Sequence, residues 1–234
     1  MIEDLPPYVS IVFILTTFLT VGILLTAVKS VSLEIFPSRL LVFTLPFWII
    51  LTGSLAVSGF YMAPEAFPPR LVLFGIIPAL IFLLLYLTAF RTGLISKLPL
   101  KLLTLIHVVR IPVEIVLYWL FLGKLVPQLM TFEGRNFDIL SGILAVAVYL
   151  LGFSGGRANR SLLIGFNVIG LILLANIVSI AALSLPSPVQ QFGLDQPNRG
   201  VLLFPYIWLP TIIVPIVLFS HLASLYKLST NKLS

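Results

Sequence analysis

The sequence contains no cysteine and very little charge. The absence of cysteine excludes disulfide bonds, thiolate metal sites and redox-active thiols. Charged residues make up 9% of the 234 residues and hydrophobic residues 59%, whereas a soluble globular domain carries about 25% charged residues. So few charges cannot cover a water-exposed surface, and the composition therefore indicates an integral membrane protein.

The apolar segments are long and continuous, and they lack the alternating polarity of strands in a membrane barrel. In lipid, a helix satisfies its own backbone hydrogen bonds and needs about 20 apolar residues to cross the hydrocarbon core. We therefore predict an all-α fold, with residues 1–234 forming a single transmembrane domain of seven helices. The predicted spans are residues 8–28, 40–61, 71–90, 100–122, 137–153, 161–185 and 203–225.

The lysines and arginines of the short loops predict the orientation of the bundle, because cytoplasmic loops carry the excess. One side carries nine, namely Lys29, Arg39, Arg91, Lys97, Lys101, Arg157, Arg160, Lys227 and Lys232. The other side carries four, namely Arg70, Lys124, Arg135 and Arg199. We therefore predict an outer N-terminus and a cytoplasmic C-terminus, in a multi-pass protein of a plasma (inner) membrane.

The net charge of +6 is explained by the same loops, and we expect no nucleic-acid partner. The expected partner is the lipid bilayer, with anionic lipid at the basic cytoplasmic face. A homo-oligomer or a larger membrane complex is also compatible with so small a membrane-embedded chain.

The fourth predicted span carries charge where a bilayer favours none. His107, Arg110 and Glu114 fall within about 60° of one another at about 100° per residue, and Tyr118 follows on the same face. A mid-bilayer charge costs about 2.5 to 3.5 kcal/mol, so such a stripe faces the bundle interior. Arg110 and Glu114 are four residues apart and are expected to pair along the helix. The stripe is either a transport or proton-relay site or a structural ion pair.

Several prolines and glycines interrupt the spans. Pro112 lies between the two charges and cannot donate to the carbonyl of Val108, so a kink is expected there. Pro205, Pro210 and Pro215 predict a second broken helix in the seventh span. Gly142, Gly152, Gly165 and Gly170 are typical of helix-packing positions.

The two histidines of the chain, His107 and His221, are predicted to lie at similar depth, near the cytoplasmic ends of spans four and seven. Two imidazoles from two membrane helices could bind a haem b iron axially or contribute to a metal site. The alternative is a pair of hydrogen-bonded histidines, with Ser220, Ser224 or Asn167 as partners.

Three polar loops on the predicted outer side could form a solute-binding mouth above the stripe, although such residues also serve as caps and turns. Asn136 or Asp138, in particular, could cap the fifth span. The candidate residues are Glu65, Arg70, Glu133, Arg135, Asn136, Asp138, Asp195, Asn198 and Arg199.

Enzyme motifs are missing from the sequence. It lacks HExxH, GxSxG and a Walker A loop, and no lysine lies deep enough in a span for a retinal Schiff base. An enzyme is therefore not the expected class. The leading hypothesis is a small transporter, channel-like or solute-binding protein that couples Glu114 protonation to kinking at Pro112 and at the prolines of the seventh span. The alternatives are a bis-histidine haem b electron-transfer protein and a non-catalytic membrane partner subunit.

Overall fold

The computed structural model describes residues 5–63, 65–153 and 158–230, and within those ranges the chain is helical and contains no strand. Six helical segments are long and apolar enough to cross a membrane. They are Pro7–Lys29, Phe36–Val57, Val72–Ala89, Leu100–Leu122, Arg160–Leu183 and Leu209–Ser229. The chain is therefore an all-helical membrane protein, as its composition predicts.

Three of these segments contain a change of helix type. The continuous helices are α1 (Pro7–Lys29), α2 (Phe36–Val57) and α7 (Arg160–Leu183). The third span begins with a π-helical turn, Val72–Ile76, and continues as α3 (Ile77–Ala89). The fourth consists of α4 (Leu100–Ile106), a 3₁₀ turn at His107–Val109 and α5 (Arg110–Leu122). The last begins with a π-helical turn, Leu209–Ile213, followed by α8 (Val214–Ser229).

The predicted fifth span, residues 137–153, is shorter than a membrane crossing. It forms α6 (Asp138–Leu151), which has 14 residues and is therefore about 21 Å long. The hydrocarbon core is about 30 Å thick. The sequence of α6 is as apolar as that of the other spans, but the preceding residues have no regular helix apart from a 3₁₀ turn at Gln128–Met130.

Helix packing puts polar groups inside the bundle and apolar groups outside it. The helix α1 packs on α4 and α5, α8 packs on α4 and α7, and α6 lies between α5 and α7. The outward faces carry large apolar side chains, for example Phe43, Ile50 and Ile172. Inside, hydroxyls such as that of Thr20 bond to carbonyls one turn earlier. This distribution suits a lipid environment, in which the interior must satisfy every polar group.

The seventh span begins later than predicted, at Leu209 rather than residue 203, because residues 203–207 form a bend and turns. This stretch includes a cis Phe204–Pro205 bond. The π-helical turn that follows is tied to α2 by two tryptophans. Trp48 Nε1 donates to the carbonyl of Thr211 at 3.1 Å, and Trp208 Nε1 donates to that of Ile49 at 3.0 Å.

Candidate functional site

The charged stripe lies where the fourth span changes helix type. The 3₁₀ turn His107–Val109 separates α4 from α5 immediately before Pro112, whose ring nitrogen cannot donate to the carbonyl of Val108. His107, Arg110 and Glu114 are all buried. Tyr118, predicted on the same face, is only partly buried and packs on Phe132, with ring centroids 5.0 Å apart.

Arg110 is fully occupied by partners from three other helices. Its Nε donates to Asp138 Oδ2 at 2.6 Å, and its Nη2 donates to Asp138 Oδ1 and, at 3.2 Å, to the carbonyl of Gly170. Its Nη1 donates to Ser141 Oγ at 2.5 Å and contacts His221 Nε2 at 3.2 Å. A guanidinium has five N–H donors, and each of them therefore has an acceptor.

The predicted pairing of Arg110 with Glu114 is wrong. The ion pair formed by Arg110 is with Asp138 of α6, a bidentate pair that fits the planar guanidinium better than a contact along one helix. The sequence predicts Asp138 in an outer loop, whereas α6 begins at Asp138 beside the first turn of α5. The fourth span therefore carries one half of an ion pair between two helices.

His221 is held as a neutral ring. The guanidinium of Arg110 can only donate, so Nε2 of His221 accepts and the ring proton is on Nδ1. That nitrogen lies 2.9 Å from Asn167 Oδ1, while Asn167 Nδ2 donates to the carbonyl of Leu163. The contact between His221 and Asn167 is one of those that the sequence predicts. We call Arg110, Asp138, Ser141, Asn167 and His221 the polar layer.

The two histidines are stacked on each other. The ring centroids of His107 and His221 are 3.7 Å apart, with 19° between the planes, and both nitrogens of His107 are buried without a hydrogen-bond partner among the described residues. Axial ligands of one haem iron lie on opposite faces of the porphyrin, so this stacked pair does not fit bis-histidine haem b. Within the described residues, no group of three His, Cys, Asp or Glu side chains could hold a metal ion.

Three of the helical segments place residues of the polar layer at similar distances from one end of the bundle. Arg110 lies ten residues after the start of α4, Ser141 ten before the end of α6 and His221 eight before the end of α8. At about 1.5 Å per residue, these distances are about 12 to 15 Å from the predicted cytoplasmic ends. Ionisable groups at this depth are costly and mark functional sites in membrane proteins.

The chain returns into the bundle before α6 begins. Residues 123–137, which we call the returning segment, lead from the end of α5 back to the level of Glu114. Asn136, in this segment, is buried, donates to Glu114 Oε1 at 2.6 Å and accepts from the backbone N–H of Asp138 at 3.0 Å. Asn136 thus serves the start of α6, whereas the N-cap residue Phe137 makes no side-chain hydrogen bond there.

Glu114 differs from Asp138 in having a free oxygen. Its Oε1 accepts from Asn136, but its Oε2 is buried and has no hydrogen-bond partner among the described residues. Glu114 and Asp138 both line a cavity of about 560 Å³ between the third span, α5, α7 and the seventh span. We call this the lateral cavity, because Leu80 and Val178 belong both to its wall and to the lipid-facing surface.

The predicted outer-loop residues separate into two groups. Asn136, Asp138 and Asn198 are buried, and Asn198 lines the lateral cavity. The exposed members are Glu65, Arg70, Glu133, Arg135, Asp195 and Arg199. Arg70, for example, donates to the carbonyl of Phe60 and lies over its ring. A mouth formed by all nine residues stays a prediction.

Some residues of the site carry no strong signal in the sequence. Ser141 and Gly170 contact Arg110 from α6 and α7, yet a serine and a glycine in apolar helices are typical of ordinary helix packing. Lys227, predicted to lie on the basic inner face, is buried, and its amine donates to the carbonyl of Leu98. Arg157 and Lys232 of that predicted face lie outside the described residues.

Comparison with known proteins finds one matching family model, and it covers the part of the chain that holds this site. No curated protein and no solved structure matches the chain. The matching model covers residues 67–229, from before the third span to the end of α8, and so includes every residue of the polar layer and Glu114. The chain belongs to the family described as "Domain of unknown function (DUF8737)".

Proposed function

We propose that this protein is a small solute-binding membrane protein of the transporter type, with its solute held beside Glu114 in the lateral cavity. The observation that carries the proposal is Glu114 itself: it lines a cavity of about 560 Å³, and its buried Oε2 has no hydrogen-bond partner among the described residues. Ionisable groups inside a membrane commonly line solute or proton pathways. A purely structural carboxylate would be expected to have both oxygens bonded.

The start of α6 supports the same proposal. Irregular backbone at membrane depth is tolerated where it is buried in protein or lines a cavity, and transporters use discontinuous helices near the bilayer midplane to hold solutes. Here the returning segment and the first turn of α6 meet Glu114 directly through Asn136. In this proposal, the polar layer is the fixed part of the site and Glu114 is the group that changes protonation.

Two breaks in the helices supply the movable parts. The 3₁₀ turn His107–Val109 lies one turn before Glu114, and the π-helical turn Leu209–Ile213 precedes α8. Pro210 and Pro215 both line the lateral cavity. Neutralisation of Glu114 would remove the charge on one wall of the cavity, and bending at these breaks would change access to the cavity from the two sides of the membrane.

The absence of native cysteine makes a direct accessibility test available. Leu174→Cys places a thiol on the wall of the lateral cavity, and Ile172→Cys, on the same helix, places a control thiol on the lipid-facing surface. Each variant is reconstituted in liposomes and treated with the water-soluble cation methanethiosulfonate ethyltrimethylammonium. Because the reagent needs a hydrated thiolate, we expect Leu174→Cys to react at least about tenfold faster than Ile172→Cys.

The second arm of the test adds Glu114→Gln to Leu174→Cys. If Glu114 titrates and controls access, the labelling rate of Leu174→Cys changes with pH by more than the ionisation of the introduced thiol explains. Glu114→Gln should then remove this additional pH dependence. Equal, slow labelling of Leu174→Cys and Ile172→Cys would mean that the cavity does not receive water. That result would contradict the transporter-type function and favour a non-catalytic partner subunit.

A further inference from the structure

We propose that the solute is a cationic amphiphile: a single-chain amine whose protonated head group binds Glu114 and whose hydrocarbon chain lies in the lateral cavity. The inference rests on the proposed solute-binding function and names the chemical class of the solute. It is carried by three properties of the cavity wall: its charge, the kind of hydrogen-bonding atom left unpaired, and its opening toward lipid.

The charges at the site leave one negative charge without a counter-ion. Arg110 and Asp138 neutralise each other in a bidentate pair, and His221 is neutral because its Nε2 accepts from the guanidinium. All five donors of Arg110 have acceptors within the polar layer or at Gly170. An ionised Glu114 therefore has no cation of the site available to it, and a ligand that brings one positive charge restores neutrality at mid-bilayer depth.

The residues that line the cavity leave acceptors unpaired. Their buried side-chain polar atoms that have no partner among the described residues are Glu114 Oε2 and Asn198 Oδ1. Asn198 Nδ2 is already used, because it donates to the carbonyl of Ala181 at 3.1 Å. An ammonium group has three donors and no acceptor, so it matches this wall. A carboxylate or phosphate head group offers only acceptors. It is disfavoured here because the unpaired atoms of the cavity-lining residues are acceptors too, and two acceptors cannot bond each other.

The remainder of the wall selects a hydrocarbon chain. Apart from Glu114, Asp138 and Asn198, the lining side chains are apolar, among them Leu117, Leu174 and Leu218. Leu80 and Val178 lie at the rim and are exposed to lipid by 37% and 41%. A chain already dissolved in the bilayer can move sideways past this rim into the cavity.

A second cavity shows what the carboxylate adds. It has a volume of about 310 Å³, lies between α1, α2, the third span and the seventh span, and is lined by no acidic or basic side chain. Its wall is apolar, as that of the lateral cavity is over most of its area. A hydrocarbon chain with any head group fits such a wall. Of these two cavities, the lateral cavity is therefore the one expected to select a ligand by the charge of its head group.

The test compares three twelve-carbon probes that differ only in the head group: dodecylamine, 1-dodecanol and dodecanoate. The full chain is placed in nanodiscs of a zwitterionic phospholipid, each probe is added at the same mole fraction of lipid, and the thermal unfolding midpoint is measured. The variants are Glu114→Gln, which removes the charge, and Ala181→Phe, which adds a ring on the cavity wall. The matched control is Ala147→Phe, on the lipid-facing side of α6.

We expect dodecylamine to raise the unfolding midpoint of the wild type more than the other two probes, because a ligand stabilises the folded state that it binds. Glu114→Gln and Ala181→Phe should each lose that excess, and Ala147→Phe should keep it. From the same titrations, we expect at least about a tenfold loss of dodecylamine affinity in Glu114→Gln.

Two results would overturn the inference. The first is equal stabilisation of the wild type by dodecylamine and 1-dodecanol, with both effects lost in Ala181→Phe. The cavity would then bind a hydrocarbon chain whatever the charge of its head group. The second is a preference for dodecanoate. Either result leaves the proposed function in place if Leu174→Cys is reached by the water-soluble reagent, whereas failure of that cysteine test removes the proposed function itself.

Discussion

Asp138 and Glu114 are two buried carboxylates in one site, and they are bonded very differently. Both oxygens of Asp138 accept from the guanidinium of Arg110, whereas Glu114 accepts one hydrogen bond from Asn136 and its Oε2 has no partner within the described part of the chain. Their exposures are similar, 6% for Asp138 and 1% for Glu114. Burial therefore does not distinguish an acid whose two oxygens are both bonded from one that keeps an oxygen unpaired; the hydrogen-bond partners do.

The largest effect is expected from Asp138→Asn. The substitution leaves the Arg110 charge buried at mid-bilayer depth without a counter-charge, and breaking a buried ion pair in this way costs about 3–5 kcal/mol. The measurement is the free energy of unfolding in mixed micelles titrated with a denaturing detergent. Asp195→Asn, on an exposed loop position, is the control and should change little. Equal stabilities of the two variants would mean that the pair does not hold the polar layer together.

Gly170→Ala should give the next largest effect, because the polar layer is closely packed. A Cβ at Gly170 would overlap the ring of His221 and lie 3.1 Å from Ser141 Oγ, whereas nothing lies within 4 Å of a Cβ at Gly165 on the same helix. Inserting a methyl group into a packed site costs about 1–3 kcal/mol. We expect this loss in Gly170→Ala and none in Gly165→Ala, in the same unfolding assay. If Gly170→Ala left the free energy of unfolding unchanged, α7 and α8 could move apart at this position without loss of stability.

Asn136→Ala tests the link between the two acids. Asn136 donates to Glu114 and to the carbonyl of Met130, and accepts from the N–H of Asp138. Its loss leaves buried groups unpaired, at about 1–3 kcal/mol, and we expect faster amide hydrogen exchange in the returning segment and the first turn of α6. The control is Asn159→Ala, which removes one bond from the backbone N–H of Leu162 at the start of α7. Unchanged exchange at α6 would contradict this role for Asn136.

The sequence predicts much of the fold because the relevant information is local. Apolar length identifies the six long spans, and Pro112 indicates the break that the structure has at His107–Val109. The length of α6 is not predictable in this way, because residues 137–153 have the composition of a full span. What shortens α6 is the returning segment, whose path depends on contacts such as that between Asn136 and Glu114.

The site is less predictable than the fold because its pairs join distant parts of the chain. The spacing of Arg110 and Glu114 favours a pair along one helix, but Asp138, 28 residues away, supplies the better bidentate geometry. Counting residues places His107 and His221 at similar depth but does not give the direction in which each ring points. The stacking of the two rings therefore required the structure, and with it the haem interpretation lost its geometric basis.

Glu114→Gln should have the smallest effect on stability, in contrast to Asp138→Asn. A glutamine side-chain oxygen can still accept from Asn136, and Oε2 has no partner among the described residues to lose. We expect Glu114→Gln to lower the free energy of unfolding without added solute by no more than about 1 kcal/mol. Asp138→Asn and Glu114→Gln thus each remove the charge of one acid, and the two acids lie at a similar depth in the bundle. A Glu114→Gln variant as unstable as Asp138→Asn would make Glu114 a second structural acid, since only an unrecognised partner of its charge could produce so large a loss.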